Sequence, residues 1–347
     1  MIANKVLFVM ARYDRCKPEW GPSTFTIYPQ ALSETGLVEG VSGFYLDEMF
    51  SQSGPTGTNE MLLQWCAADS PDLVIFIPTG WANIDPSRII VDEVVNKLGI
   101  KVAMIRGDPA GEYGHQFNRS WFPFLSYMIF VDISVSFLGY SKNQKAIQGF
   151  ICANNKDFYD RNMARDLDVS FAGSVGNWLK RADHLEFLRA NGVEVFTGGG
   201  LEYDTKLSVE DYSKVINRSK ISLSFCRHRT EGFPMLKGRV FDIMCCNTFL
   251  LEDDGTETRK FFDLGKDFVM YDTKEEMLEK VQYYLKHDRV RQKIAESGHR
   301  NVAEMYNARN LWAHILERAG FDIPTEVAKD EKYLELSRKL EMIRWGV

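Results

Sequence analysis

The first half of the chain alternates short apolar runs with longer stretches whose apolar residues recur at helical spacing. Four runs predict buried strands: Lys5–Met10, Leu73–Pro78, Lys101–Arg106 and Ile129–Val135. Two stretches predict helices: Glu60–Ala68 and Pro86–Leu98. Apolar strands separated by helices are typical of a parallel sheet that is covered on both faces.

The second half repeats this alternation after a polar stretch at 154–165. Its predicted strands are Val169–Ser174, Val193–Thr197, Ile221–Phe225 and Thr248–Leu251. Its predicted helices are Arg181–Asn191, Val209–Ser219, Val240–Cys246, Lys274–Lys286 and Asp288–Met305. We therefore predict domains over residues 1–155 and 165–320, followed by a helical tail over 321–347 whose alternating charges indicate a solvated helix.

Polar clusters follow the predicted strands in both halves. They are Arg12–Arg15, Pro78–Trp81, Gly107–His115, Gly173–Ser174, Gly198–Gly200 and Arg227–Arg239. In open α/β sheets, ligands bind beyond the carboxyl ends of the strands. The pattern therefore predicts an α/β fold of two tandem Rossmann-like, doubly wound domains that face a central cleft.

Composition limits the class of protein. The chain is 45% hydrophobic and 26% charged, which is typical of a globular protein. Its net charge of −6 argues against a dedicated nucleic-acid binder. No apolar run approaches the roughly 20 residues that span a bilayer. Residues 2–10 are too short for a signal peptide, and the six cysteines lack metal-binding spacing. These features predict a cytoplasmic protein without a transmembrane segment.

The segment Lys237–Asp242 carries the strongest chemical signal. Lys237 and Arg239 stand at the start of an apolar helix, between two predicted strands, and Asp242 follows one turn later. A helix N-terminus favours anions through its free N–H groups and its dipole. An arginine fork and a lysine point charge add phosphate-binding groups, so the segment predicts a diphosphate site. Asp242 is placed to accept hydrogen bonds from sugar hydroxyls.

Other strand ends offer further ligand contacts. Gly173 and Ser174 lie between a strand and a helix, where a glycine lets backbone N–H groups approach a phosphate. Gly199 either lets the ligand approach the backbone or forms a flexible turn. The loop residues Arg227, His228 and Glu231 either contact phosphate and sugar groups or are solvated loop charges.

The second half also resembles the GT-B glycosyltransferases, in particular the group that contains the spore-maturation protein CgeB. The resemblance covers about residues 165–312. The matching pieces, in order, are Asp168–Ser174, Arg181, Tyr212, Asn217–Leu223, Lys237–Asp242, Phe249–Leu251, Tyr271–Asp272 and Leu278–Leu285. It implies a nucleotide-sugar donor held by the second domain and an acceptor held by the first.

The resemblance also implies roles for single residues. Asp242 stands where related transferases carry a glutamate that binds the donor ribose, and is one methylene shorter. Related retaining enzymes carry another glutamate seven residues earlier, whereas Glu231, the nearest candidate, is separated from Asp242 by ten residues. An inverting enzyme instead needs a base for the acceptor hydroxyl, and Asp108, His115 and Asp14 are the candidates, although Asp108 before Pro109 is also a turn former.

No essential metal or other cofactor is expected. Asp166-Leu167-Asp168 has the DxD spacing that a different transferase fold uses for metal, but it leads into a strand, where a solvated strand start is the simpler interpretation. Lys237 and Arg239 supply the positive charge that a metal would bring to a leaving diphosphate. The hypothesis is a metal-independent, hexosyltransferase-like glycosyltransferase that moves a sugar from a nucleotide-sugar donor to a glycan or other hydroxyl-bearing acceptor. The alternatives are a nucleotide-sugar epimerase or hydrolase on the same fold and a non-catalytic nucleotide-sugar sensor.

Overall fold

The computed structural model describes residues 2–152, 154–176, 180–199, 207–228 and 232–347, which form two compact units. The first unit combines Met1–Cys152 with Ala308–Val347, and the second is Ala153–Asn307. This division differs from the predicted domains, because residues 308–320 and the tail belong with the first unit. The predicted α/β class is confirmed in both units.

The first unit begins with a six-stranded parallel sheet. Its elements are β1 (Lys5–Met10), α1 (Ile27–Thr35), β2 (Gly40–Tyr45), α2 (Leu46–Asp69, broken at Gly54), β3 (Leu73–Phe76), α3 (Arg88–Asn96), β4 (Lys101–Arg106), α4 (Gly111–Trp121), β5 (Tyr127–Phe130) and β6 (Ala146–Gln148). The strand order is β2-β1-β3-β4-β5-β6. The chain leaves β1 first to one side and then to the other, so the topological switch point lies between β1 and β3.

The second unit contains a five-stranded parallel sheet of order β11-β10-β9-β7-β8. Its elements are β7 (Leu167–Ala172), α5 (Arg181–Ala190), β8 (Val195–Gly198), α6 (Val209–Arg218), β9 (Ser219–Phe225), α7 (Gly238–Cys245), β10 (Phe249–Asp253), α8 (Thr258–Phe261), β11 (Val269–Tyr271), α9 (Lys274–Lys286) and α10 (Asp288–Glu304). Here the switch point lies between β7 and β9, because β8 and β9 flank β7 on opposite sides.

The two faces of the second sheet differ in chemistry. One face is apolar: Phe171, Leu223 and Leu251 pack into a core with residues of α5 and α9. Because side chains alternate along a strand, the neighbouring residues point to the other face, and these include serines and a glutamate. The hydroxyl of Ser170 lies 2.9 Å from that of Ser222. The face of the second sheet opposite to this apolar core is therefore partly polar.

The C-terminal residues complete the first unit. They form α11 (Ala308–Arg318), α12 (Thr325–Ala328) and α13 (Glu331–Trp345). The tail is helical as predicted, but it is not a solvated helix, because Tyr333, Leu336, Leu340 and Ile343 are buried along one face of α13. The sequence did not reveal this buried face, because charged residues stand between the buried ones. The buried residues themselves recur every three or four positions, which is the spacing of one helix face.

All eight predicted strands are present, two of them with the predicted bounds and the other six with shifted ends. The strand predicted at Ile129–Val135 instead ends at Phe130, and residues 131–135 form bends and turns. The prediction omitted β2, β6 and β11 and the helices α1, α4, α8 and α11. Among the described residues, no helix is long and apolar enough to cross a membrane.

Candidate functional site

Two arginines lie at the switch point of the second sheet. Arg239, near the start of α7, donates from Nε to the carbonyl oxygen of Ala172, the last residue of β7, at 3.0 Å. Arg181, at the start of α5, donates to the carbonyl oxygens of Ser174 at 2.8 Å and of Phe225 at 3.3 Å. The two guanidinium groups therefore hold the carboxyl ends of β7 and β9, the position at which α/β sheets bind ligands.

Gly173 is required by the close approach of Arg239. A Cβ at Gly173 would lie 2.2 Å from Nη2 of Arg239, a distance that no pair of non-bonded atoms tolerates. The backbone N–H of Gly173 also donates to the carbonyl oxygen of Gly198 at 2.7 Å. Arg239 is thus fixed against the turn after β7, with its guanidinium 4.7 Å from the centre of the Phe171 ring.

Arg181 is a buried cation, only 4% exposed. Burial, and next the positive charge of Arg239, lower the pKa of Arg181 to about 9. Two like charges close together, one of them buried and the other half-buried, stabilise an anion that binds between them. The pair is accordingly an electropositive site of the kind that binds phosphate groups.

Lys237 and Asp242 lie on either side of Arg239 along the chain. Lys237 is the residue that precedes α7, with extended backbone, and its Nζ is 3.1 Å from Sδ of Met235. Asp242 lies one turn into the helix, and its Oδ2 accepts a hydrogen bond of 3.3 Å from the Tyr212 hydroxyl. Burial raises the pKa of Asp242 to about 7, although the charge of Arg239 and the bond from Tyr212 oppose the rise. Asp242 is therefore partly protonated near neutral pH, and can both donate and accept hydrogen bonds.

The strand-end loop after β9 is held by its own contacts. Arg227 forms an ion pair with Asp254 and donates to the carbonyl oxygen of Gly232 at 2.7 Å. The ring of His228 stacks on that of Phe233, with 4.5 Å between centroids. These contacts show how the loop is built, and the donor-binding role predicted for Arg227 and His228 stays a prediction. Glu231 lies outside the described residues.

The other predicted glycine and serine positions lie beside the arginine pair. Gly199 has a φ of +83°, which favours glycine, and a Cβ there would lie 3.3 Å from the backbone nitrogen of Gly173. Ser174 contributes its carbonyl oxygen to Arg181. The turns after β7 and β8 therefore pack against each other next to Arg239.

The three candidate bases belong to the first unit. Asp108 follows β4 with a left-handed φ of 46°, is exposed, and donates its backbone N–H to Oδ2 of Asp132 at 2.6 Å. His115 lies on α4, with its ring 6.3 Å from that of Tyr140. Asp14 follows β1 and donates its backbone N–H to the carbonyl oxygen of Gly21. These contacts, which involve described residues alone, do not single out one of the three as the base.

The DxD segment has a structural role. Asp166 is paired with Arg218 at 2.6 Å and Asp168 with Lys220 at 2.6 Å, both at the amino edge of the sheet. Within the parts of the chain that the structure describes, no group of three or more His, Cys, Asp or Glu side chains is arranged to hold a metal ion.

Sequence reasoning assigned no role to Arg181 and Tyr212, which the structure places at the site, or to the buried Glu252. The first two are among the residues that match the family pattern, which was the available signal. Glu252 is fully buried on β10, and burial raises its pKa to about 8. For Glu252, the available signal in the sequence was its position as a charged residue directly after an apolar run.

Comparisons with known proteins agree with this fold. Residues 158–317 match the model of a family described as glycosyl transferase-like, and no curated protein sequence matches the chain. Anabaena Alr3699/HepE, solved with UDP and glucose, is 9% identical, with a TM-score of 0.64, over 91% of this chain and 99% of its own.

Two further structures are similar. A glycosyltransferase from Rickettsia africae is 11% identical, with a TM-score of 0.59, over 95% of this chain and 100% of its own. A protein from Listeria monocytogenes, provisionally named as a UDP-N-acetylglucosamine 2-epimerase, is 12% identical, with a TM-score of 0.53, over 91% and 96%. At these identities the likeness shows the fold alone: the chain has the two-sheet GT-B fold, and 158–317 is its glycosyl transferase-like part.

Proposed function

We propose that the protein is a glycosyltransferase that moves a sugar from a nucleotide-sugar donor to an acceptor hydroxyl. Lys237 and Arg239 stabilise the diphosphate as it leaves, and no metal is required for this step. The glycosyl transferase-like match over 158–317 supports the reaction class. The complexes of the similar Anabaena protein with UDP and with UDP-glucose favour a uridine nucleotide as the donor. Membership of the CgeB-like group stays a prediction.

The observation that carries the proposal is the placement of Arg239. Its guanidinium fills the space beside Gly173 and is anchored to the carbonyl oxygen of Ala172 by one nitrogen. A cation anchored in this way needs no reorganisation when negative charge develops on a leaving group. Such preorganised electrostatic stabilisation is often the largest catalytic contribution.

The remaining residues bind the donor or remove the proton of the acceptor. Asp242, held by Tyr212, binds donor hydroxyls. One of Asp108, His115 and Asp14 takes the acceptor proton if the reaction inverts the anomeric centre. The stereochemistry and the sugar follow from product analysis.

The variants Lys237→Ala and Arg239→Ala test the role of these two cations. We expect each variant to lose about 10²–10³-fold in transfer rate, the usual cost of removing one preorganised stabilising group. Transfer is measured with UDP-sugars and a panel of hydroxyl acceptors, after a thermal-shift screen of UDP, GDP, CMP, ADP and dTDP has identified the base that raises the melting temperature.

Matched controls are available in the same unit. Lys220→Ala and Arg218→Ala remove cations that pair with Asp168 and Asp166 at the opposite edge of the sheet. Exposed pairs contribute at most about 1 kcal/mol, so both controls should keep full activity. Full activity in the Lys237/Arg239 double variant would contradict the proposal.

A second candidate is a nucleotide-sugar epimerase or hydrolase, favoured by the fold shared with the Listeria protein. It uses the same cations but needs no acceptor. Mass spectrometry and NMR of the products with donor alone separate the two: rapid acceptor-free turnover supports the second candidate. Nucleotide binding without turnover on any acceptor would instead indicate a sensor.

A further inference from the structure

A hydrogen bond between side chains joins helices α6 and α7. The hydroxyl of Tyr212, on α6, donates to Oδ2 of Asp242, on α7, at 3.3 Å. Asp242 follows Arg239 by three residues within α7, and residues three apart on a helix lie on the same face. The bond therefore links Tyr212 to the helix face that carries Arg239.

Tyr212 is held in place by packing and by the backbone next to it. Its ring packs edge to face on the buried ring of Phe158, with 5.3 Å between centroids. The next residue, Ser213, is buried, and its hydroxyl donates to the carbonyl oxygen of Asp157 at 2.6 Å. These contacts fix α6 against the segment that carries Phe158, so the Tyr212 ring has little freedom to move away from Asp242.

The bond from Tyr212 acts on both the orientation and the charge of the Asp242 carboxyl. Because Tyr212 occupies Oδ2, a ligand would be bound through Oδ1. Fixing the rotatable bonds of a side chain in advance removes an entropy cost from binding. The bond also favours the ionised carboxylate, and so opposes the rise in the pKa of Asp242 that burial causes.

The position of Asp242 beside Arg239 indicates what its carboxyl binds. Under the proposed function, Arg239 binds the donor diphosphate, which carries a sugar ring on each side: the ribose and the transferred sugar. Both rings present hydroxyl groups, which form strong hydrogen bonds to a carboxylate, whereas phosphate groups are repelled by it. The partner of Asp242 is therefore a sugar hydroxyl next to the diphosphate.

We propose that Tyr212 is a positioning residue, which holds the Asp242 carboxyl toward these sugar hydroxyls and so sets the preference of the site for a diphosphate that carries a sugar. The role of Tyr212 rests on the proposed function. Loss of the Tyr212 hydroxyl weakens binding of sugar-bearing diphosphates. It leaves unchanged the binding of a bare diphosphate, which depends on the cation Arg239.

Calorimetric titration of the whole protein with UDP, UDP-glucose and inorganic pyrophosphate, all at a single pH, tests this role. Tyr212→Phe keeps the ring on Phe158 and removes the hydroxyl alone. We expect its affinity for the sugar-bearing ligands to fall about five- to tenfold, while its affinity for pyrophosphate stays within about twofold. A fall already present with UDP assigns the ribose as the partner, and a fall present only with UDP-glucose assigns the transferred sugar.

A double variant shows whether Tyr212 acts through Asp242. Asp242→Ala should lower affinity for the same ligand at least as much as Tyr212→Phe does. Adding Tyr212→Phe to Asp242→Ala should lower it no further, because the effects of residues in contact are not additive. Tyr333→Phe is the matched control: the Tyr333 hydroxyl also donates to a carboxylate, that of Glu317, at 2.7 Å in the first unit. This control should keep the wild-type affinity for all three ligands.

The outcomes separate the role of Tyr212 from the proposed function. If the wild type binds UDP, a Tyr212→Phe variant that loses pyrophosphate affinity equally, or loses affinity for no ligand, overturns the role and leaves the function intact. Additive losses in the double variant overturn the role as well. A wild-type protein that binds none of UDP, GDP, CMP, ADP and dTDP contradicts both. Thermal unfolding of each variant confirms that the protein titrated is folded.

Discussion

At the scale of single residues, the site depends on the close contact between Gly173 and Arg239. Arg239 reaches the carboxyl end of β7 only because Gly173 has no side chain. The two nearest atoms that a Cβ would meet are at the far end of the flexible Arg239 side chain, and the third is Cζ of Phe171 at 3.2 Å. A clash would therefore move the guanidinium rather than unfold the strand.

Gly173→Ala should consequently lower function more than stability. We expect the melting temperature to change by only a few degrees, while UDP affinity falls about tenfold or more because Arg239 is displaced. Gly176→Ala, in the same loop, is the matched control, since a Cβ there has open space within 4 Å. Equal UDP affinity in Gly173→Ala and the wild type would show that Arg239 does not bind the diphosphate.

The sequence could identify some of these residues and not others. The sequence singles out Lys237 and Arg239, because basic residues at a helix N-terminus oppose its dipole, and their role at the site stays a prediction. The contact between Arg239 and Gly173 could not be predicted, since it joins distant parts of the chain. Arg181 and Glu252 were also missed, because their burial depends on backbone carbonyl groups and a serine supplied by other strands.

At the scale of elements, the hydrophobic pattern predicted the central strands of each sheet but missed several strands at the sheet edges. β1 and β4 have the predicted bounds, because long apolar runs buried on both faces leave no alternative. β2 was missed because its sequence, Gly40–Tyr45, contains two glycines and is mostly half-buried at the sheet edge. Short strands such as β6 and β11 have only three residues, too few for a periodic signal.

Helix α13 allows a direct test of its packing role. Leu340 is fully buried, whereas Leu334 on the same helix is 41% exposed. Leu340→Ala should lower the free energy of unfolding by about 2–5 kcal/mol, as buried leucine truncations do. Leu334→Ala should change it by no more than about 0.5 kcal/mol. Urea denaturation measures both, and equal effects would contradict the amphipathic packing of the helix.

At the scale of the whole molecule, the second unit is an insertion within the first. Residues on both sides of it contribute to one core: Phe8 of β1 contacts Trp312 of α11 edge to face, with 5.6 Å between centroids. A short bridge also pairs Ile2 with Asp322. The second unit has its own sheet and apolar core.

An excised fragment of residues 154–307 should therefore fold and bind UDP. Its core is built from its own strands and helices, so we expect a cooperative thermal transition that UDP shifts upward. A fragment of residues 1–152 lacks α11 and α13 and should not unfold cooperatively. Circular dichroism with thermal melting checks both fragments, and a cooperative transition in the shorter one would show that the C-terminal helices are dispensable.

The contact between Phe8 and Trp312 has a consequence for biosynthesis. A ribosome adds about 5–20 residues per second. Trp312, which packs against Phe8 of the first strand, is therefore synthesised roughly 15 to 60 s after Phe8. During that interval the inserted unit is completed, while the apolar surface of the earlier sheet stays open to chaperones or to other nascent chains. The order of the chain thus leaves this surface uncovered during synthesis, whatever the stability of the finished protein.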